Sequence, residues 1–89
     1  MNVSIDISMY PLNEQYCQPI LDFINQIEQN PKLKIERNAM STQVFGDYRT
    51  VMAEISEEML IALEKLPTTV FVLKLVGTDR SNARIRSCE

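Results

Sequence analysis

The side chains in this sequence best suited to holding a polar molecule fall on two alternating stretches. Ser4, Asp6, Ser8 and Tyr10 take every second position of the first, and Ser41, Gln43 and Phe45 do so in the second. Together they offer hydroxyls and an amide that both donate and accept, a carboxylate that accepts, and two aromatic rings. Groups of this kind recognise a small ligand by hydrogen bonding and ring contact. They suit an interface between two copies equally well, with the polar groups satisfied across the contact, and residue types leave both readings open.

Bond-making chemistry finds little support. The chain has no histidine, which removes the commonest general base and the commonest metal ligand. A serine or cysteine nucleophile therefore has no evident base beside it. Only carboxylates such as Asp6 or Asp47 are left for an enzyme to use, and we expect no enzymatic activity, no cofactor and no metal. Cys17 and Cys88 are too few and too far apart for a disulfide framework or a zinc site. Cys17, near an expected helix start, is a candidate reactive thiol; the favoured reading is a small, partly buried residue. Glu54, Glu57, Glu58 and Glu64 read as one solvated helix face, because they lack the convergence a cation needs.

The net charge of −3 argues against nucleic acid, which calls for clustered Lys and Arg. Arg80, Arg84 and Arg86 form one local concentration, read as part of a solvated tail. The longest apolar run is too short to cross a bilayer, so no membrane insertion is expected. Residues Met1 to Asp6 carry neither the basic segment nor the apolar segment of a signal peptide, which gives a cytoplasmic expectation.

These residues need a scaffold, and the hydrophobic pattern supplies one. With 89 residues the chain makes a single domain of small buried fraction, for which self-association is expected. Val3, Ile5, Ile7 and Met9 alternate with the polar set, giving a strand over Val3–Tyr10 that Pro11 ends. Pro19 is tolerated only in a first turn, so the first helix begins near Tyr16 or Cys17. It runs along Ile20, Phe23, Ile24 and Ile27 to Asn30-Pro31. Leu33 to Asn38 reads as a polar edge strand, paired as a hairpin with the stretch Met40–Asp47. There Gly46 is expected to allow a tight turn, and Asp47 to cap the helix that follows. That helix carries an apolar stripe of Tyr48, Val51, Met52, Ile55, Met59, Ala62, Leu63 and Leu66 and stops at Pro67. Thr69 to Gly77 makes a fourth strand with apolar residues on both faces, so part of its second face is expected to meet another chain or a ligand.

The order β-α-β-β-α-β predicts a ferredoxin-like α+β sandwich, an antiparallel four-stranded sheet with two helices on one face, over residues 1–77. A flexible tail is expected over 78–89. Its first and third strands are central, which sets the two polar stretches side by side. RNA-binding domains of this order stack bases on aromatics of a basic, Gly-rich third strand, whereas this one offers only Phe45 before the acidic Asp47. Acylphosphatases hold phosphate on an Arg-bearing loop after the first strand, but Pro11-Leu12-Asn13-Glu14 has neither Gly nor Arg.

Two segments, Ser8-Met9-Tyr10-Pro11-Leu12 and Met40-Ser41-Thr42-Gln43-Val44-Phe45-Gly46-Asp47, resemble the corresponding segments of the YkoF-like thiamine-binding family, related to the MTH1187 group. The likeness extends from about Val3 to Gly77 and includes the element order. It implies a non-catalytic binding protein for thiamine or its hydroxymethylpyrimidine moiety, linked to vitamin uptake or salvage. It also implies a homodimer or homotetramer assembled through sheet faces. Carried onto this chain, it places ligand contacts at Ser8, Tyr10, Ser41, Thr42 and Gln43. Tyr10 or Phe45 would stack on the ring, and Asp6 would face the thiazolium cation unless Lys74 pairs with it and shifts preference to a neutral pyrimidine. The alternative is an oligomeric interaction or scaffolding protein of the same fold with no small-molecule ligand.

Overall fold

In the computed structural model, which describes residues 1–83, the elements are β1 (Asn2–Tyr10), α1 (Cys17–Glu28), β2 (Lys34–Arg37), β3 (Thr42–Asp47), α2 (Tyr48–Lys65) and β4 (Val70–Val76). Of the expected tail, Arg84, Arg86 and Cys88 lie outside the described residues.

Each element forms for a local reason. Along β1 the odd positions face the helices, and Val3, Ile5 and Ile7 are at most 2% exposed. Pro19 is the third residue of α1, inside the first turn, where an N–H has no intrahelical partner to lose. The buried stripe of α1 is Phe23, Ile24 and Ile27. Helix α2 starts on a side-chain cap, because the Asp47 carboxylate accepts from the N–H groups of Arg49 at 3.2 Å and Thr50 at 3.4 Å. It buries Val51 and Ile55, while Leu60 and Ile61 near its far end stay exposed.

All neighbouring strands are antiparallel, in the order β2-β3-β1-β4, with β1 and β3 central. This is the ferredoxin-like arrangement expected from the element order. Between sheet and helices lie Val3, Ile5, Ile27, Val44, Val51 and Ile55, all essentially closed to solvent. Each such aliphatic contributes about 1.5–3 kcal/mol of burial.

Gly46 does not make the expected turn. It lies within β3, and no residue among those described has a positive φ. Its value is space: a Cβ there would stand 2.8 Å from Leu33 Cδ2 and 3.2 Å from Val51 Cγ2, so glycine lets α2 close on the sheet. The expected partial burial of Cys17 is also not found, and its thiol is exposed at the first position of α1.

The helices pack on β1, β2 and β3. On β4, Phe71 tilts against Phe23 of α1 with ring centroids 5.2 Å apart. Leu73 and Leu75 share the helix side with their partners Ile7 and Ile5, yet they are 37% and 51% exposed.

Candidate ligand-binding site

The two ladders of β1 do not end together. Pairing with β3 runs from Asn2↔Asp47 to Ile7↔Thr42, whereas pairing with β4 continues to Tyr10↔Val70. Beyond Ile7, therefore, the side of β1 that faced β3 is released from its ladder, and a notch opens between Ser8–Tyr10 and the loop entering β3. That loop is tied to itself. The Asn38 Oδ1 accepts from the N–H groups of Met40 at 2.8 Å and Ser41 at 3.1 Å, and the Asn38 N–H donates to the Ser41 carbonyl at 3.1 Å.

The notch is the mouth of a cavity of about 430 Å³, within the range of small-molecule pockets. Ser8, Tyr10, Ser41 and Thr42 line it together with Ile20 and Phe23 of α1. Four of the residues singled out from sequence thus meet at one cavity. Tyr10 and Tyr16 are exposed at its margin, as is Met40. Thr42 is different in kind: it lies on the helix side of the sheet, opposite Ile7, and is buried.

Asp6, Gln43 and Phe45 lie elsewhere, at a second hollow of about 350 Å³ on the sheet face away from the helices, beside Lys74 and Arg80. Ser41 connects the two. Its hydroxyl donates to Asp6 Oδ1 at 2.6 Å, and the Gln43 amide donates to the same carboxylate oxygen at 2.7 Å and to Ser41 Oγ at 2.8 Å. Lys74 Nζ stands 3.9 Å from the other carboxylate oxygen. The Ser41 hydrogen bond chiefly holds the Asp6 carboxyl below its ordinary value, opposed by partial burial and aided by Gln43 and Lys74. Because the Ser41 proton is committed to Asp6, the hydroxyl has only acceptor capacity left for a ligand.

Ser4 ties the chain after β4 to this same face. Its hydroxyl donates to the Thr78 carbonyl and accepts from the Arg80 N–H, each at 2.8 Å. A third hollow, of about 640 Å³, lies between the helices and involves Asp22, Gln26, Glu58 and Lys65 but none of the residues expected from sequence to contact a ligand. Burial, with Glu54 and Glu57 nearby, raises the Glu58 carboxyl. Among the described residues no group of three or more His, Cys, Asp or Glu is placed to hold a metal ion, and no helix is long and apolar enough to cross a membrane.

Sequence reasoning missed Asn38 and Tyr16. Asn38 carried a usable signal, since an Asn directly after a strand commonly bonds the backbone two residues on. Tyr16 carried none, because its place at the cavity depends on how the Pro11–Tyr16 loop folds over α1.

No family model matches the sequence, and no curated protein matches it. Solved structures do share its fold. A Thermotoga maritima protein provisionally assigned to thiamine biosynthesis or salvage superposes with a TM-score of 0.78 at 20% identity, covering 88% of this chain and 85% of that one. A hypothetical protein of Methanocaldococcus jannascii gives 0.76 at 23% identity, covering 94% and 88%. A Bacillus cereus domain of unknown function, DUF77, gives 0.68 at 14% identity, covering 96% and 84%. At these identities the likeness is one of fold, with a thiamine-related protein among the neighbours.

Proposed function

We propose that this chain is a cytoplasmic, non-catalytic binding protein for hydroxymethylpyrimidine or for thiamine through its pyrimidine ring, serving vitamin uptake or salvage. The observation that carries the proposal is the convergence of Ser8, Tyr10, Ser41 and Thr42 on one cavity where the β1–β3 ladder ends. The aminopyrimidine fits the chemistry of that place. Its exocyclic amine donates to Ser41, whose oxygen can only accept; its ring nitrogens accept from Ser8 or from backbone N–H groups of β1 released by the ladder. Tyr10 is exposed and free to close on the ring. The thiamine-related fold neighbour in Thermotoga maritima supports the same reading.

The pair of Asp6 with Lys74 favours the neutral pyrimidine over thiamine. Asp6 already has two hydrogen bonds and a lysine beside it, so it has little to offer a thiazolium cation. Replacing Ser41 and Thr42 together by Ala tests the assignment: hydroxymethylpyrimidine affinity should fall about tenfold or more, the worth of one or two hydrogen bonds, in a protein that still folds. Unchanged affinity in the folded double variant would remove the cavity as the binding place.

A further inference from the structure

Asn38, Gln43, Ser41 and Asp6 form a chain in which each side chain fixes the hydrogen-bonding sense of the next. It starts at groups that can only donate, the backbone N–H groups of Met40 and Ser41, which stand 2.8 Å and 3.1 Å from Asn38 Oδ1. The oxygen of Asn38 must therefore face them, and its amide nitrogen is turned toward Gln43 Oε1 at 3.4 Å. Gln43 accepts there, so its own amide nitrogen donates to Asp6 Oδ1 at 2.7 Å and to Ser41 Oγ at 2.8 Å. The chain ends at a group that can only accept. The Asp6 carboxyl titrates below its ordinary value and is a carboxylate at neutral pH. Ser41 Oγ, 2.6 Å from Asp6 Oδ1, must give its one proton to that oxygen. With Gln43 donating to one of its lone pairs, Ser41 has a single lone pair left to offer the cavity it lines.

We infer, on the pyrimidine-binding reading above, that Asp6 sets the specificity of the cavity without touching the ligand. Acting through Ser41, it makes the site take a ring that bears an amine and refuse the same ring bearing an oxo group. The amine donates to the remaining lone pair of Ser41. An oxo group there sets acceptor against acceptor, and Ser41 cannot turn its proton to meet it. Turning would leave two oxygens 2.6 Å apart with no proton between them and would break a charge-assisted hydrogen bond. Gln43 and Asn38 are positioning residues of the same chain, since they hold the carboxylate and the hydroxyl in this one arrangement.

The other hydroxyls expected to contact the ligand are not committed in this way. Among the described residues those of Ser8 and Tyr10 have no hydrogen-bond partner, so either can turn to donate or to accept. They contribute affinity for both rings, and the choice between rings falls to Ser41. A site that pairs with a particular donor discriminates more sharply than one that only matches shape, because the wrong ligand leaves a buried polar group unpaired.

The test is isothermal titration of the full chain with hydroxymethylpyrimidine and with its 4-oxo analogue, each variant being checked for native circular dichroism. Wild type should prefer the amine by about tenfold or more, the worth of one lost hydrogen bond with an opposed acceptor. Asp6→Ala frees the Ser41 proton to turn into the cavity, so the oxo compound should gain about tenfold relative to the amine. A merely structural role for Asp6 would weaken both compounds together and leave their ratio unchanged, which overturns the inference. Ser41→Ala removes the reading atom and should abolish the preference; a preference that survives in that folded variant also overturns it. Equal binding of both compounds by wild type overturns the specificity while leaving pyrimidine binding standing. Failure of wild type to bind either compound overturns the binding function itself, and the specificity with it.

Discussion

Asp6 and Ser41, 35 residues apart in sequence, meet at 2.6 Å between carboxylate and hydroxyl oxygens. The bond joins the two faces of the molecule that matter here. Asp6 stands on the open face of the sheet, and Ser41 ends the loop that walls the cavity, so the carboxylate fixes both the position of that loop and the hydrogen-bonding sense of its hydroxyl.

Asp6→Asn should therefore weaken the network at neutral pH. An amide accepts less strongly than a carboxylate, and we expect a loss of about 1–2 kcal/mol in urea unfolding at pH 7. The folded-state Asp6 carboxyl titrates below its ordinary value of 3.8, so its stabilisation is complete above that pH and disappears as pH falls through the lower folded value. The stability gap between wild type and Asp6→Asn should accordingly shrink below about pH 4. A gap that stays constant or widens with acid would contradict the charge-assisted reading.

Gly46→Ala should destabilise without touching the cavity. The new methyl meets Leu33 Cδ2 at 2.8 Å and the stiffer Val51 Cγ2 at 3.2 Å, both in the core. Leu33 can give way more easily than Val51, which points to a cost of about 1 kcal/mol, the low end for overpacking. The melting temperature should fall while ligand affinity holds; a rise in melting temperature would mean that reduced unfolded-state entropy outweighs the clash.

Tyr10→Ala removes the ring proposed to close on the pyrimidine and should lower affinity about tenfold, with Tyr10→Phe retaining most of it. Isothermal titration of the two variants separates stacking from hydrogen bonding. Equal losses for Ala and Phe would assign the role to the hydroxyl.

Much of the fold was legible because the periodicity is clean. The alternation from Val3 to Tyr10, Pro19 near a helix start and Asp47 before Tyr48 each act locally, and the element order follows from them. Gly46 was misread because its reason is tertiary: nothing in the sequence tells a glycine that turns from a glycine that makes room for Leu33 and Val51. The candidate site was half legible. Alternation put Ser8 and Ser41 on one face, but the cavity exists because one ladder stops at Ile7 and the other runs on to Tyr10, and ladder ends are set by pairing, not by residue type. The same limit hid the division between the cavity group and the group around Asp6. The apolar double face of β4 was plain in the sequence; that neither helix covers Leu73 and Leu75 was not.

The most direct test is isothermal titration of the wild-type protein with hydroxymethylpyrimidine and then with thiamine. We predict saturable binding at micromolar concentration or tighter, with the neutral pyrimidine preferred because Lys74 already occupies Asp6. No heat with either compound, together with a melting temperature unchanged at high ligand concentration, would contradict a pyrimidine-binding role for this cavity.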